Sequence, residues 1–382
     1  MTERKKLKIA VVIDVFDETS GGGAIAAQRF VKFLRHYHDV TVISTGKPAA
    51  GKVVLPGFRI PFARRVMREM RFSFARPIKE TLEKTFAEMD IVHVQFPFLL
   101  GIKAVKIANR IPVPVVASFL VQPENIFYNI GVRSKFLIDH TYRFFVRNFF
   151  NHSHAVIFPT EFAERELKRY GLKSPGHVIS NGILPEFRPM SPRRDPEYRG
   201  RFVILSVGRL AKDKRLDVLI RAISLSEHKN AIQLVVVGMG PEKEELIRLG
   251  QTLPHPPVFR FSFINQEELI RQYNTADLFV HPSEVELEGL AVLEAMACGL
   301  PPLISDSRTN ASRQFCLDDR FLFSNGDAGS LVSKIDYWIN HREELNEARK
   351  KYLELAQRYH IQESVRELEK IYFDLHQNNR GG

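Results

Sequence analysis

The chain alternates short apolar runs with longer stretches whose apolar residues return every three to four positions. Residues 7–12, 40–44, 91–94, 113–118 and 155–158 are rich in β-branched side chains, and each run predicts a buried strand. The helical period appears between and after them, over 24–34 and 161–170. The alternation restarts with strand 203–207, helix 215–225, strand 233–237 and helix 242–249. Further strands are expected at 258–261, 278–281 and 302–305, then charged helical segments over 331–358 and 362–376. Continuous apolar strands separated by helices predict parallel sheets covered on both faces, the doubly wound α/β arrangement. Between the two series lies ILPEFRPMSPRRDPEYRG, residues 183–200, whose four prolines and many charges read as a linker. The expected organisation is therefore a Rossmann-like domain at 1–182, the linker at 183–200 and a second Rossmann-like domain at 201–360.

Composition narrows the class. A chain of 382 residues with 44% apolar and 26% charged residues can bury a core in each of two domains. Two cysteines, Cys298 and Cys316, make neither a disulfide framework nor a four-ligand metal site, and they fit a reducing cytoplasm. No run approaches the roughly 20 apolar residues of a membrane span. The opening MTERKKLKIAVVIDVF imitates a signal peptide, but Asp14, Asp17 and Glu18 break the apolar run, so a first strand is the expectation. The net charge of +11 is unevenly placed: residues 1–190 hold 29 Lys and Arg against 16 Asp and Glu, the remainder 26 against 28. A basic first half suggests an anionic partner, a membrane surface or a nucleic acid.

Candidate chemistry concentrates in the second half. In HPSEVELEGLAVLEAMACGLPPLISDS, Glu286 and Glu294 are separated by seven residues around Gly289, where a strand and loop give way to a helix. Amides at a helix start are unpaired and the dipole is positive there, so the turn after Gly289 can receive an anion such as a phosphate. Carboxylates nearby can take hydroxyl groups, and the combination suits a sugar nucleotide. On the spacing alone, a surface loop and a core-packed helix with two solvated glutamates is the better reading. After strand 203–207, Gly208, Arg209 and Lys214 in VGRLAKDKR put a planar fork and a point charge on a loop, where they can bind phosphate. Gly238 and Gly240 in VVVGMGP form a strand-ending turn that is either structural or nucleotide-lining. In the first half, Gly22 and Gly23 of GGGAIA follow the first strand and start a helix, without the spacing of a dinucleotide fingerprint.

The block EGLAVLEAMACGLP, with VGRL followed by DK, GMGP and SNG, resembles the retaining glycosyltransferases of the GT-B fold, family four. The family's Glu-Gly-Phe-Gly is ELEG here, with Leu287 and Glu288 in place of glycine and the aromatic residue. SFLVQPENIFYNIG resembles a block of the bacterial diacylglycerol glucosyltransferases, with Leu120 where a histidine is expected. The resemblance implies two Rossmann-like domains facing a central cleft, Asn181-Gly182 at the hinge, and a C-terminal helix at 361–382 crossing back to the first domain. It implies Arg209, Lys214 and Glu286 in catalysis. Glu294 would hold the ribose, and Gly22, Gly23, Gly208, Gly238, Gly240, Gly289, Leu290 and Ala291 would line the donor site. The acceptor side would hold His93, Gln95, Gln122, Glu124 and Asn125, although a lone His93 on an apolar strand fits a core residue equally well. Fixed cations on the leaving diphosphate make an essential metal unnecessary, and no tightly bound cofactor is expected.

The function so implied is hexosyl transfer from UDP-glucose to diacylglycerol, giving an α-glycosyl lipid, by a cytoplasmic protein at the inner face of the membrane. Two cationic, aromatic-rich segments, 58–76 and 133–150, would lie in the membrane interface as amphipathic helices or pack on their own domain. No nucleic-acid module is recognisable. The alternatives are a transferase with a soluble sugar or glycan acceptor, a non-catalytic nucleotide-sugar-binding protein and, more distantly, an oxidoreductase.

Overall fold

A computed structural model describes residues 6–17, 21–61, 64–69, 71–260 and 265–380. The chain forms two compact units, Met1–Gly182 with Ile361–Gly382 and Ile183–His360. The first holds a seven-stranded parallel sheet. Its spatial order is Lys52–Val54, Asp39–Ser44, Lys8–Val12, Ile91–Val94, Val115–Ser118, Ala155–Phe158 and Gly176–Val178. The second holds six parallel strands in the order Val258–Arg260, Ile232–Val237, Phe202–Val207, Leu278–His281, Pro302–Asp306 and Leu322–Ser324. In both sheets the first strand is central, the next two lie on one side and the rest on the other. That is the doubly wound order, with its switch point between the first and fourth strands.

The apolar runs occupy the sheet centres. Ile9, Val11, Val42, Val92, Val94 and Val116 are at most 2% exposed. Each such side chain contributes roughly 1.5–3 kcal/mol of transfer free energy. In the two large sheets three strands escaped the sequence pattern: Lys52–Val54, Gly176–Val178 and Leu322–Ser324 are three-residue edge strands, too short to show a period. The strand expected over 258–261 is seen as Val258–Arg260, and Phe261 lies outside the described residues.

The helical tract at 331–358 is two helices, Ala328–Asn340 and Arg342–Ala356. His341 leaves helical geometry (φ −116°, ψ 57°), with both its backbone N–H and its ring Nδ1 at the Tyr337 carbonyl. The stretch 183–200 is counted with the second unit and pinned to it. Tyr198 is buried, Arg194 forks onto Asp277 at 2.9 and 3.1 Å, and Asp195 takes Arg271 at 2.9 Å.

Segment 58–76 is not one amphipathic helix. Gly57–Phe58 pairs antiparallel with Phe74–Ala75 around a short helix, Arg64–Glu69, while residues 62–63 and 70 lie outside the described set. Phe58 and Phe72 both pack on Phe74, and Phe98 adds an edge at 5.2 Å from Phe74, so these rings serve their own unit. Segment 133–150 does contain an amphipathic helix, Lys135–Asn148.

The helix Ile361–Arg380 belongs to the first unit. Four residues at alternating spacings of three and four, hence on one face, hold it there. Glu369 lies 2.9 Å from His38, Tyr372 2.6 Å from His93 and His376 3.4 Å from Asp90, and Asn379 donates to the Pro112 carbonyl at 2.8 Å.

Candidate active site

At the switch point of the second sheet, the loop after Phe202–Val207 lies beside the one after Leu278–His281. A Cβ on Gly238 would run into the Gly208 carbonyl, so glycine lets the neighbouring strand-end loops touch. Lys214 closes a 3-10 turn, Lys212–Lys214, and its ammonium reaches across to the second loop. It donates to Glu286 Oε1 at 2.6 Å, to Ser283 Oγ at 3.2 Å and to the Val285 carbonyl at 3.2 Å. Arg209 Nη2 donates to Asp213 Oδ2 at 3.3 Å, and Lys214 Nζ lies 3.6 Å from the same oxygen. Asp213 is fully buried, and its carbonyl accepts the Glu284 N–H at 2.8 Å, which ties the two loops by their backbones.

Glu286 is therefore flanked by the Lys214 ammonium and the His281 imidazole, whose Nε2 lies 3.1 Å from Oε1. Burial pushes the Glu286 carboxyl upward. The Lys214 charge and the His281 ring outweigh that and hold it well below the usual carboxylate range, so it is ionised. Three residues on, Gly289 takes φ 93° and caps the helix Leu290–Ala297. A Cβ there would be both strained and in collision with Ser312 Oγ. The Val292 and Leu293 amides both go to the Gly289 carbonyl, while those of Leu290 and Ala291 are the first-turn donors a helix cannot use itself. Glu294, 6% exposed on this helix, accepts the Tyr273 hydroxyl at 2.9 Å through Oε2. Cationic groups, first-turn amides and carboxylates thus share one strand-end surface, suited to a nucleoside diphosphate linked to a polyhydroxyl group.

In the first unit, Gly22 and Gly23 open the helix Gly22–Leu34, and a Cβ on Gly23 would meet Phe96 at 2.9 Å and Leu120 at 3.2 Å. Leu120, His93, Gln95, Ser118 and Asn181 line one hollow in that unit. His93 has a partner at each ring nitrogen, and burial lowers its pKa to about 3, so it is neutral. Gln122 and Asn125 form a reciprocal capping box on the helix Pro123–Asn129. Glu124 accepts the Tyr142 hydroxyl at 2.9 Å, and its pKa is raised by burial.

Arg209, Lys214 and Glu286 come together in this way, with Gly208 and Gly289 shaping their loops. Sequence reasoning missed His281, Asp213, Ser283 and Tyr273. His281 and Ser283 stand in the HPSEVE stretch and Asp213 in the KDKR stretch, where only the flanking charges drew attention. Tyr273 gave no local signal. Among the described residues there is no group of three or more His, Cys, Asp and Glu that could hold a metal ion. None of the described helices is long and apolar enough to cross a membrane.

Two family models match adjoining stretches of the chain: residues 20–187 the "Glycosyltransferase Family 4" model and residues 188–356 the "Glycosyl transferases group 1" model. The structure of Anabaena Alr3699/HepE in complex with UDP and glucose aligns with 96% of this chain and 100% of its own, with a TM-score of 0.77 and 18% identity. The chain belongs to the glycosyltransferases of the GT-B fold. The two Rossmann-like units and the C-terminal helix in the first of them fit that architecture. A second whole-length counterpart of this glycosyltransferase is the sucrose-phosphate synthase of Thermosynechococcus elongatus. It covers 97% of this chain and 99% of its own, with a TM-score of 0.74 and 17% identity. By sequence, the α-monoglucosyldiacylglycerol synthase of Streptococcus pneumoniae is 29% identical over 256 residues, 63% of this chain and 57% of that enzyme, less than two thirds of its length.

Proposed function

We propose that this glycosyltransferase moves a hexose from a nucleoside-diphosphate sugar to an acceptor hydroxyl with retention of configuration. The observation that carries the reading is the Lys214–Glu286–His281 cluster beside Arg209 and the first turn of the helix Leu290–Ala297. As the bond between the anomeric carbon and the leaving oxygen breaks, its electron pair moves onto the diphosphate. Arg209, Lys214 and the Leu290 and Ala291 amides stabilise that developing charge more than the ground state. The acceptor oxygen bonds to the anomeric carbon on the same face and passes its proton to the departing diphosphate. Glu294 holds ribose hydroxyls, and Glu286, fixed as an anion, holds the hexose. UDP-glucose is the donor that the Anabaena complex supports.

A soluble sugar or glycan acceptor is the first reading, supported by a whole-length counterpart named for a sugar phosphate. A lipid hydroxyl, diacylglycerol in particular, is the second, and a specific feature of the surface favours it. The outward face of the helix Lys135–Asn148 combines exposed Phe136 (75%), Leu137 and Phe144 with Lys135, Arg143 and Arg147. Such a face can set rings among acyl chains and cations at phosphates. The streptococcal relative's name points the same way.

The test is transfer from labelled UDP-glucose, UDP-galactose and GDP-mannose, offered with diacylglycerol in anionic vesicles or with soluble sugars. Labelled lipid made only with vesicles, lost with Phe136→Asp and Phe144→Asp, establishes the lipid reading. A soluble product establishes the first. Donor binding with neither product nor hydrolysis would overturn the catalytic reading in favour of a binding protein.

A further inference from the structure

A three-member hydrogen-bond chain runs through the first unit from the C-terminal helix to the end of a central strand. Tyr372 OH lies 2.6 Å from His93 Nδ1, and His93 Nε2 lies 2.7 Å from Ser118 Oγ. All three are buried, at 0%, 4% and 5% exposure. The direction of the chain follows from its partners. The Tyr372 hydroxyl has one proton and, among the described residues, one hydrogen-bonding neighbour, so it donates to Nδ1. The imidazole is neutral, so its own proton sits on Nε2 and is donated to Ser118 Oγ. Ser118 has then accepted at its oxygen, which leaves its own proton for a partner other than His93, and Ser118 lines a hollow together with Gln95, Leu120 and Asn181. That hollow has room for about one water-sized oxygen.

Ser118 is also the last residue of Val115–Ser118. Directly after it Phe119 donates to the Ile157 carbonyl at 2.9 Å, and the capped segment at Gln122–Asn125 follows. The orientation of one serine hydroxyl therefore bears on the strand-to-helix connection that carries Leu120, Gln122, Glu124 and Asn125.

We propose that Tyr372 is a positioning residue for the acceptor side: by fixing the tautomer of His93 it makes Ser118 a hydrogen-bond donor into the hollow beside Leu120, where one hydroxyl-sized oxygen binds, and it thereby holds segment 119–125. It acts through His93 and touches no substrate. The kinetic part rests on the acceptor-side reading above; the tautomer and the order of the segment do not.

Tyr372→Phe tests this on the full chain, for it removes the hydroxyl and leaves the ring in its edge contact on His93, centroids 5.8 Å apart. With 15N-labelled histidine, the wild type should give the Nε2–H signature at His93, and the variant a population protonated at Nδ1. Amide exchange over 118–125 should quicken, and the acceptor KM should rise about 2- to 10-fold, the worth of one hydrogen bond, with the donor KM unmoved. The acceptor probe is vesicle diacylglycerol or glucose, whichever the wild type glycosylates. Should Tyr372→Phe fail to fold, Ser118→Ala replaces it and should raise exchange and acceptor KM while His93 keeps its Tyr372 bond. His93 remaining purely Nε2–H in Tyr372→Phe would overturn the proposal. So would normal exchange and acceptor KM in either variant. A wild type that glycosylates neither probe would count against the function proposed above, while the tautomer and exchange measurements still decide this one.

Discussion

Asp14 follows the central strand of the first sheet and is 1% exposed. Its Oδ1 accepts the Ala75 N–H at 2.9 Å, which fastens the Gly57–Phe58 and Phe74–Ala75 ribbon to the sheet. Burial raises its pKa from 3.8 to about 7, and the backbone hydrogen bonds offset only part of that. The folded carboxyl thus binds its proton more tightly than the unfolded one. Its contribution to stability is fully present below about pH 4, falls as pH rises toward 7, and stays lost above that. A shift of about three units corresponds to roughly 4 kcal/mol. Asp14→Asn keeps an oxygen for the Ala75 N–H but cannot ionise. The assay is urea unfolding of wild type and variant at pH 5, 6, 7 and 8. The difference between the two proteins isolates Asp14, because every other group titrates in both. The variant should gain on the wild type with each pH step and lead by up to about 4 kcal/mol at pH 8. A difference that does not change with pH would refute the reasoning, since a carboxyl that stays exposed or finds a cation has no such slope.

Three further outcomes are expected. Lys214→Ala should lower kcat about 100- to 1000-fold, the usual loss for one preorganised charge on a leaving oxyanion, with an unchanged circular dichroism spectrum; near-normal turnover would remove Lys214 from the site. Tyr273→Phe removes the hydroxyl that donates to Glu294 and should raise the donor KM by about 2- to 10-fold, the worth of one hydrogen bond, while the acceptor KM stays put in the same initial-rate series. Gly289→Ala forces a side chain to φ 93° and against Ser312, so calorimetry should show a lower Tm, with donor affinity falling because the Leu290 and Ala291 amides shift.

What could be read in advance was whatever a few neighbouring letters encode. Residues 91–94, 155–158 and 278–281 were readable as strands because four consecutive buried positions leave no polar face to confuse the period. Lys52–Val54 and Gly176–Val178 were not, because an edge strand of three half-exposed residues looks like any loop. Glu286, Glu294 and Lys214 stood out through local spacing. Their supports did not: Tyr273 reaches Glu294 from another helix, and Tyr372 reaches His93 across 279 positions of chain. Such pairs are created by topology. The aromatic residues of 58–76 misled for a related reason, since a ring that packs on Phe98 and a ring that faces lipid are written with the same letter.

The helix Ile361–Arg380 completes a unit whose other residues all precede position 183. In synthesis, residues 183–360 emerge as an uninterrupted block and can close their sheet first. The earlier unit must wait, with the His38, Asp90 and His93 face uncovered until its helix arrives, and contacts across so long a separation are slow to form. The unit translated first is finished last, and a nascent chain halted anywhere before Glu369 leaves the His38, Asp90 and His93 face without its partners.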